Sequence, residues 1–121
     1  MKQISESEML HRAAAYCSAS ERCIQDVEKK IKAAGLAGEE SDRIVSRLLH
    51  ERFIDESRFA RYFVNDKLRF NKWGRVKINY EMQRKGIPSS IRSEALEGID
   101  EQEYRSILLS LLKSKKKVTR G

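Results

Sequence analysis

Four cationic residues are spaced so that they share one face of a helix, and they are the residues best suited to binding a charged partner. At about 100° per residue, with Arg58 at zero, Arg61, Arg69 and Lys72 fall within an arc of about 80° on the same side. Solvent-facing helix surfaces usually alternate Glu with Lys or Arg, whereas this face contains no acid. Because such cations attract polyanions, we expect the face to bind nucleic-acid phosphates or an acidic protein surface. The alternative is that they only solubilise an amphipathic helix.

The next predicted helix adds further cations. Lys77 and Arg84 are seven residues apart and so share one side of that helix, with Lys85 at its end. Residues 58–85 hold nine Lys or Arg against two acids, in a chain of net charge +7. This concentration of charge favours a polyanionic partner. Lys77, Arg84 and Lys85 are therefore further candidate contacts.

Residue types that perform catalysis or hold metals are scattered. The histidines, His11 and His50, belong to different predicted helices. Cys17 and Cys23 are six residues apart, unlike the close pair of a redox or zinc motif. The glycines are isolated and form no phosphate-cradling loop. We therefore expect no enzymatic activity, no metal and no cofactor.

Composition is that of one ordinary domain. The 121 residues are 40% hydrophobic and 36% charged, which excludes low-complexity and collagen-like chains. No apolar run approaches the roughly 18 residues of a membrane-spanning helix, and the N-terminus lacks the apolar stretch of a signal peptide. We expect a cytoplasmic protein with reduced cysteines and no membrane partner.

An all-α fold of about seven helices is predicted to position these residues, because no segment alternates with the period of a strand. Ser5 and Glu8 form a capping box for the first helix, and residues 18–21 resemble a second box. The predicted helices begin near Ser5, Ser18 and Gly38, then run from Phe59 to about Phe70 behind the cap Asp55, from about Lys72 to Lys85, from Ser89 to Leu96, and onward from the cap Asp100.

An internal repeat relates these helices. Ile54-Asp55-Glu56 recurs 45 residues later as Ile99-Asp100-Glu101, and Gly35-Leu36 recurs 51 residues later as Gly86-Ile87. Repeats of this kind stack into elongated arrays. We expect a first three-helix repeat over residues 5–54, a second over 55–99, the first helix of an incomplete third over 100–113, and a basic tail over 114–121. The chain looks cut short, so Leu111 or Leu112 should be poorly covered.

Aromatic and apolar residues of the second repeat are the predicted structural anchors. Trp73 has two interpretations: it stacks on a nucleobase, or it packs one repeat on the next. The neighbouring Gly74 and the apolar Ile78 behind it favour the second interpretation. The full set of predicted anchors is Phe59, Phe63, Trp73, Gly74, Ile78 and Gly86.

Several ordered motifs resemble those of the RecX family of bacterial recombinase regulators. They are Arg52-Phe53-Ile54-Asp55-Glu56-Ser57-Arg58-Phe59-Ala60, then Lys72-Trp73-Gly74 with Lys77-Ile78, and then Lys85-Gly86-Ile87. The resemblance covers roughly residues 9–110. It implies tandem three-helix repeats that bind the RecA recombinase filament and inhibit its strand-exchange and coprotease activities. Members of the family usually complete a third repeat, whereas this chain stops after the first helix of that repeat.

A plain helical DNA-binding protein, either sequence-independent or a transcription regulator, is the alternative. Helix-turn-helix regulators concentrate base contacts near the N-terminus of one recognition helix, whereas these cations spread along two helices. We expect a monomer that binds bare DNA weakly and without sequence preference.

Overall fold

Seven α-helices, and no strand, make up the part of the chain that the structure describes, which confirms the predicted all-α fold. The structure is a computed structural model that describes the backbone of residues 4–120 and the side chains of residues 4–112. The helices are α1 (Glu6–Ala19), α2 (Ile24–Ala33), α3 (Glu39–His50), α4 (Glu56–Arg69), α5 (Arg75–Arg84), α6 (Ser89–Glu97) and α7 (Glu101–Arg120).

The same local signal begins α1, α4 and α7. Ser5, Asp55 and Asp100 each accept a hydrogen bond from the backbone N–H three residues later, at 3.1, 3.0 and 2.9 Å. Such side-chain caps satisfy N–H groups that have no partner within the helix. A buried isoleucine immediately precedes each cap: Ile4, Ile54 and Ile99. The repeated Ile-Asp-Glu motif therefore marks equivalent helix starts.

Two hydrophobic clusters lie side by side along the chain. We call α1–α3, which enclose one cluster, the first bundle, and α4–α6, which enclose most of the other, the second bundle. Helix α7 packs on α4 and adds Ile107 to the second cluster. Cys23, the N-cap of α2, belongs to the second cluster, whereas Ile54 belongs to the first. The loop before α2 thus places Cys23 in the core of the second bundle, and the segment between α3 and α4 places Ile54 in the core of the first.

The second capping box predicted from the sequence is wrong. Ser18 lies within α1, where its hydroxyl donates to the carbonyl of Ala14 at 2.9 Å instead of capping a new helix. Helix α2 begins later, at Ile24, and the carboxylate of Asp26 accepts from the backbone N–H of Cys23 at 3.3 Å.

The predicted start of α5 is also wrong by three residues. Lys72 has a φ of 59°, in the left-handed region, which interrupts a helix. The N–H of Trp73 donates back to the carbonyl of Lys67 at 3.1 Å and so closes the end of α4. Lys72 therefore lies between α4 and α5 and not on the face of α4. The end of α5 agrees with the sequence, because Gly86 has a φ of 79° just after it.

The N-cap of α4 makes stability depend on pH. The backbone N–H of Arg58 hydrogen-bonds the Asp55 carboxylate and holds the pKa of that carboxyl below its usual value. A lowered folded-state pKa contributes stability that is present above the unfolded pKa, about 4, and is lost as the pH falls through the folded pKa. Asn caps a helix nearly as well as Asp, so Asp55→Asn removes the carboxylate charge and keeps the cap. The variant should have a lower urea midpoint than the parent at neutral pH, and the difference between the two midpoints should shrink in acid. A difference that stays constant down to about pH 3 would contradict this assignment.

Candidate polyanion-binding surface

The nine cations of residues 58–85 fall into two groups. Within the described side chains, six form ion pairs with carboxylates of this chain: Arg58 with Glu21, Lys67 with Asp66, Arg69 with Glu103, Arg75 with Glu101, Arg84 with Glu81, and Lys85 with Asp26. The other three are exposed and have no carboxylate partner among residues 4–112: Arg61, Lys72 and Lys77. We call these three the unpaired cations.

Arg58 joins the two bundles. Its Nε lies 2.7 Å from a carboxylate oxygen of Glu21, and its Nη2 donates to the carbonyls of Arg52 and Phe53, both at 3.3 Å. The sequence predicted this residue as part of an acid-free face. In the structure, an acid from the loop before α2 reaches that face, and much of the charge of Arg58 is satisfied within the chain.

Arg69, a second member of the predicted face, is held by α7. Its Nε lies 2.6 Å from a carboxylate oxygen of Glu103, and this hydrogen bond raises the pKa of Arg69 above its usual value. Arg75, at the start of α5, pairs with Glu101 at the start of α7. Both cations therefore fasten α7 to the second bundle.

In each bundle, the N-terminus of the second helix is capped by a side chain from the first turn of the helix that follows the bundle. A carboxylate oxygen of Glu56 accepts from the backbone N–H of Ile24, the first residue of α2, at 3.1 Å. Burial raises the pKa of Glu56, although this hydrogen bond opposes the shift. In the second bundle, the hydroxyl of Tyr104 accepts from the N–H of Arg75, the first residue of α5, at 3.2 Å. These caps orient α2 and α5 relative to α4 and α7.

The Glu21–Arg58 pair should contribute measurably to stability. The exposed fractions of the two side chains are 25% and 38%, so water screens the pair less than a fully exposed one. A double-mutant cycle with Glu21→Gln and Arg58→Gln, followed by urea unfolding, should give a coupling free energy of about 1 kcal/mol.

The matched control for that cycle is the more exposed pair of Arg47 with Glu51, whose side chains are 59% and 43% exposed. Its i,i+4 geometry should give only about 0.3–0.5 kcal/mol. Equal coupling in the two cycles would show that the Glu21–Arg58 pair is no stronger than an ordinary surface pair.

Trp73 lies half-buried against the second cluster. Its ring centroid is 6.4 Å from that of Phe63, and the ammonium groups of Lys67 and Lys77 lie 5.2 and 4.5 Å from the centroid. These contacts all lie within the second bundle. Of the other predicted anchors, Phe59, Phe63 and Ile78 are buried in the second cluster, and a Cβ added to Gly74 would meet the Tyr104 hydroxyl at 3.5 Å.

Two exposed apolar side chains on α5 escaped the sequence reasoning. The exposed fraction is 86% for Val76 and 57% for Tyr80. The guanidinium of Arg84 lies 6.0 Å from the ring centroid of Tyr80. At about 100° per residue, Val76 and Tyr80 project to the side of α5 opposite Ile78 and Met82, so a helical projection that included apolar residues would have found both. Lys85, by contrast, points to the junction, 3.2 Å from Asp26.

Neither cysteine has the surroundings of a reactive thiol. Burial raises the pKa of Cys23 to about 11 and also raises that of Cys17, whereas the thiolate is the reactive form. Among the described residues, His, Cys, Asp and Glu form no group of three or more that could hold a metal ion. The same residues include no helix long and apolar enough to span a membrane.

Comparison with known sequences connects this chain to one family. Residues 55–96 match the RecX second three-helix domain. Regulatory protein RecX of Prosthecochloris aestuarii is 33% identical over 91 residues, which are 75% of this chain and 60% of that protein. Regulatory protein RecX of Lactobacillus johnsonii is 26% identical over 113 residues, which are 93% of this chain and 42% of that protein. The chain thus spans 60% and 42% of the lengths of these two relatives.

Comparison with solved structures shows the same fold. The crystal structure of RecX from Lactobacillus salivarius superposes with a TM-score of 0.82 at 19% identity and covers 96% of this chain and 76% of that one. A second crystal structure of regulatory protein RecX gives a TM-score of 0.79 at 21% identity, covering 96% of this chain and 60% of that one. The all-helical architecture predicted from the sequence is therefore confirmed.

Proposed function

Because the chain belongs to the RecX family of regulatory proteins, we propose that it binds the RecA recombinase filament and inhibits its recombinase and coprotease activities. The second bundle contacts filament protein and DNA phosphates through its basic surface. The match to the family domain over residues 55–96 supports this role, because the same segment contains the excess of positive charge.

The observation that carries the proposal is the set of unpaired cations. Arg61, Lys72 and Lys77 are exposed and have no acid partner among the described side chains. A cation already held in an ion pair must give up that pair to bind a phosphate, whereas a cation without a carboxylate partner gives up no ion pair. The unpaired cations therefore contribute most to binding a polyanion.

The test is a titration of preformed recombinase filaments, with ATP hydrolysis and strand exchange as readouts, beside a titration of duplex DNA alone. We expect inhibition of the filament and weak, sequence-independent binding to the duplex. With three phosphate contacts, the slope of log K against log salt for the duplex should be about −2.7. Strong preference for one duplex sequence, without inhibition of the filament, would favour a transcription regulator instead.

A further inference from the structure

One face of α5 carries side chains that lie outside the hydrophobic core and point away from the bundle junction, although the backbone carbonyl of Arg84 accepts from the side chain of Gln25 in the first bundle at 3.2 Å. On the buried side, Ile78 and Met82 are fully enclosed. On the solvent side, Val76 and Tyr80 are mostly exposed. We call the solvent side the α5 face; at about 100° per residue its members span about 120°: Val76, Lys77, Tyr80, Gln83 and Arg84. The two apolar side chains, Val76 and Tyr80, are one helical turn apart and form the apolar part of this face.

The charges on the α5 face favour a polyanionic partner. Lys77 and Arg84 lie on either side of Tyr80 along the helix, about 10 Å apart by the rise of 1.5 Å per residue, and the face itself contains no acid. Glu81 borders the face and lies 3.4 Å from Arg84, whose side chain is 64% exposed. The Glu81 side chain is 28% exposed, but an ion pair between residues three apart on a helix contributes little free energy, and a phosphate can replace the carboxylate.

The aromatic ring distinguishes this face from a simple basic patch. The ring of Tyr80 is open to solvent, with the guanidinium of Arg84 6.0 Å from its centroid. Proteins that bind single strands combine cations that follow the backbone with exposed aromatic rings on which bases stack. Bases inside a duplex are already stacked on each other, so an exposed ring on a helix favours an unpaired strand.

We propose that the α5 face binds single-stranded nucleic acid, with a base stacked on Tyr80 and phosphates bound by Lys77 and Arg84. This inference rests on the proposed function, in which the second bundle contacts DNA, and it specifies the form of the strand and the side chains that receive it. Val76 extends the apolar surface beside the stacked base.

The test measures fluorescence anisotropy of a labelled oligothymidylate of about 15 nucleotides and of a duplex of equal length, without recombinase. Tyr80→Ala should weaken binding to the single strand about tenfold and binding to the duplex far less. The slope of log K against log salt should not change, because tyrosine carries no charge. Tyr80→Phe should bind like the parent, since stacking needs the ring and not the hydroxyl.

Two further variants separate stacking from charge. Replacing Lys77 and Arg84 together with Ala should reduce the magnitude of the single-strand salt slope by about 1.4. Tyr62→Ala is the matched control, because Tyr62 is a tyrosine of α4 that is 46% exposed and lies outside the α5 face. It should bind like the parent, and circular dichroism should show equal helix content in all variants.

Each contrary outcome overturns the inference. A parent chain that does not bind the oligothymidylate, or a Tyr80→Ala variant that binds it like the parent, leaves no role for stacking. Loss of filament inhibition by Tyr80→Ala without loss of strand binding would make the α5 face a protein-docking surface. Failure of the proposed function looks different: the parent would bind the single strand through Tyr80 but would not inhibit the filament.

Discussion

Replacing Arg61, Lys72 and Lys77 with Glu should abolish measurable association with the recombinase filament and leave the helices intact. The three side chains are exposed and have no carboxylate partner within residues 4–112, so each change should move stability by only about 0.5 kcal/mol. Against a polyanion, each substitution replaces an attraction with a repulsion and also forfeits the release of counterions. Inhibition of filament ATP hydrolysis, measured beside circular dichroism, checks both halves of this expectation.

A matched control reverses three exposed cations of the first bundle. Arg12, Lys29 and Lys32 are exposed, and their replacement by Glu changes the net charge by the same amount. This variant should keep most of the inhibition if location matters, and should lose it equally if only net charge matters. Arg58 and Arg69 are unsuitable for this test, because their replacement also breaks ion pairs that join parts of the fold. A triple Glu variant that inhibits like the parent would show the unpaired cations to be merely solvated.

Phe63→Ala should lower the free energy of unfolding by about 3–5 kcal/mol. Phe63 is only 6% exposed, and its ring centroid lies 5.7 Å from that of Phe59 and 6.4 Å from that of Trp73. Removing the ring opens a cavity between two aromatic neighbours on which the second bundle depends. Urea unfolding followed by far-ultraviolet circular dichroism measures the loss. A loss below about 1 kcal/mol would mean that the cluster closes around the missing ring.

Trp73→Ala provides the comparison. Because Trp73 is only half-buried, the loss of stability should be smaller than that for Phe63→Ala. A loss of stability without a change in nucleic-acid binding supports the anchor interpretation of Trp73. Weaker nucleic-acid binding at unchanged stability supports the stacking interpretation.

Features set by neighbouring residues could be predicted from the sequence. The caps of α1, α4 and α7 depend on one side chain and the N–H three residues later, so Ser5, Asp55 and Asp100 were recognisable. The left-handed Gly35 and Gly86 end α2 and α5 for an equally local reason. The seven helices follow from apolar periodicity, and Leu112 is 63% exposed, as expected for a poorly covered residue.

Features set by distant residues could not be predicted. Arg58 and Glu21 are 37 positions apart, and Arg69 and Glu103 are 34 apart. A helical projection of α4 shows only the charges of α4, so it presents these cations as free. The late start of α5 depends on a left-handed backbone at Lys72, a conformation that its residue type does not favour. By contrast, the exposure of Tyr80 is a local feature, because at about 100° per residue it projects opposite Ile78 and Met82.

Ion pairs cross two junctions, one between the first and second bundles and one between the second bundle and α7, and in both the second bundle carries the positive charge. Among the described side chains, the second bundle supplies the base of each ion pair that it makes with its two neighbours, and those neighbours supply the acids. Arg58 and Lys85 meet Glu21 and Asp26 of the first bundle, and Arg69 and Arg75 meet Glu103 and Glu101 of α7. Proteins built from similar repeats are prone to misassembly between units. Two second bundles brought edge to edge would oppose like charges, which costs free energy and disfavours the wrong partner. The charge order thus favours the sequence of units found in the fold over a pairing of two second bundles.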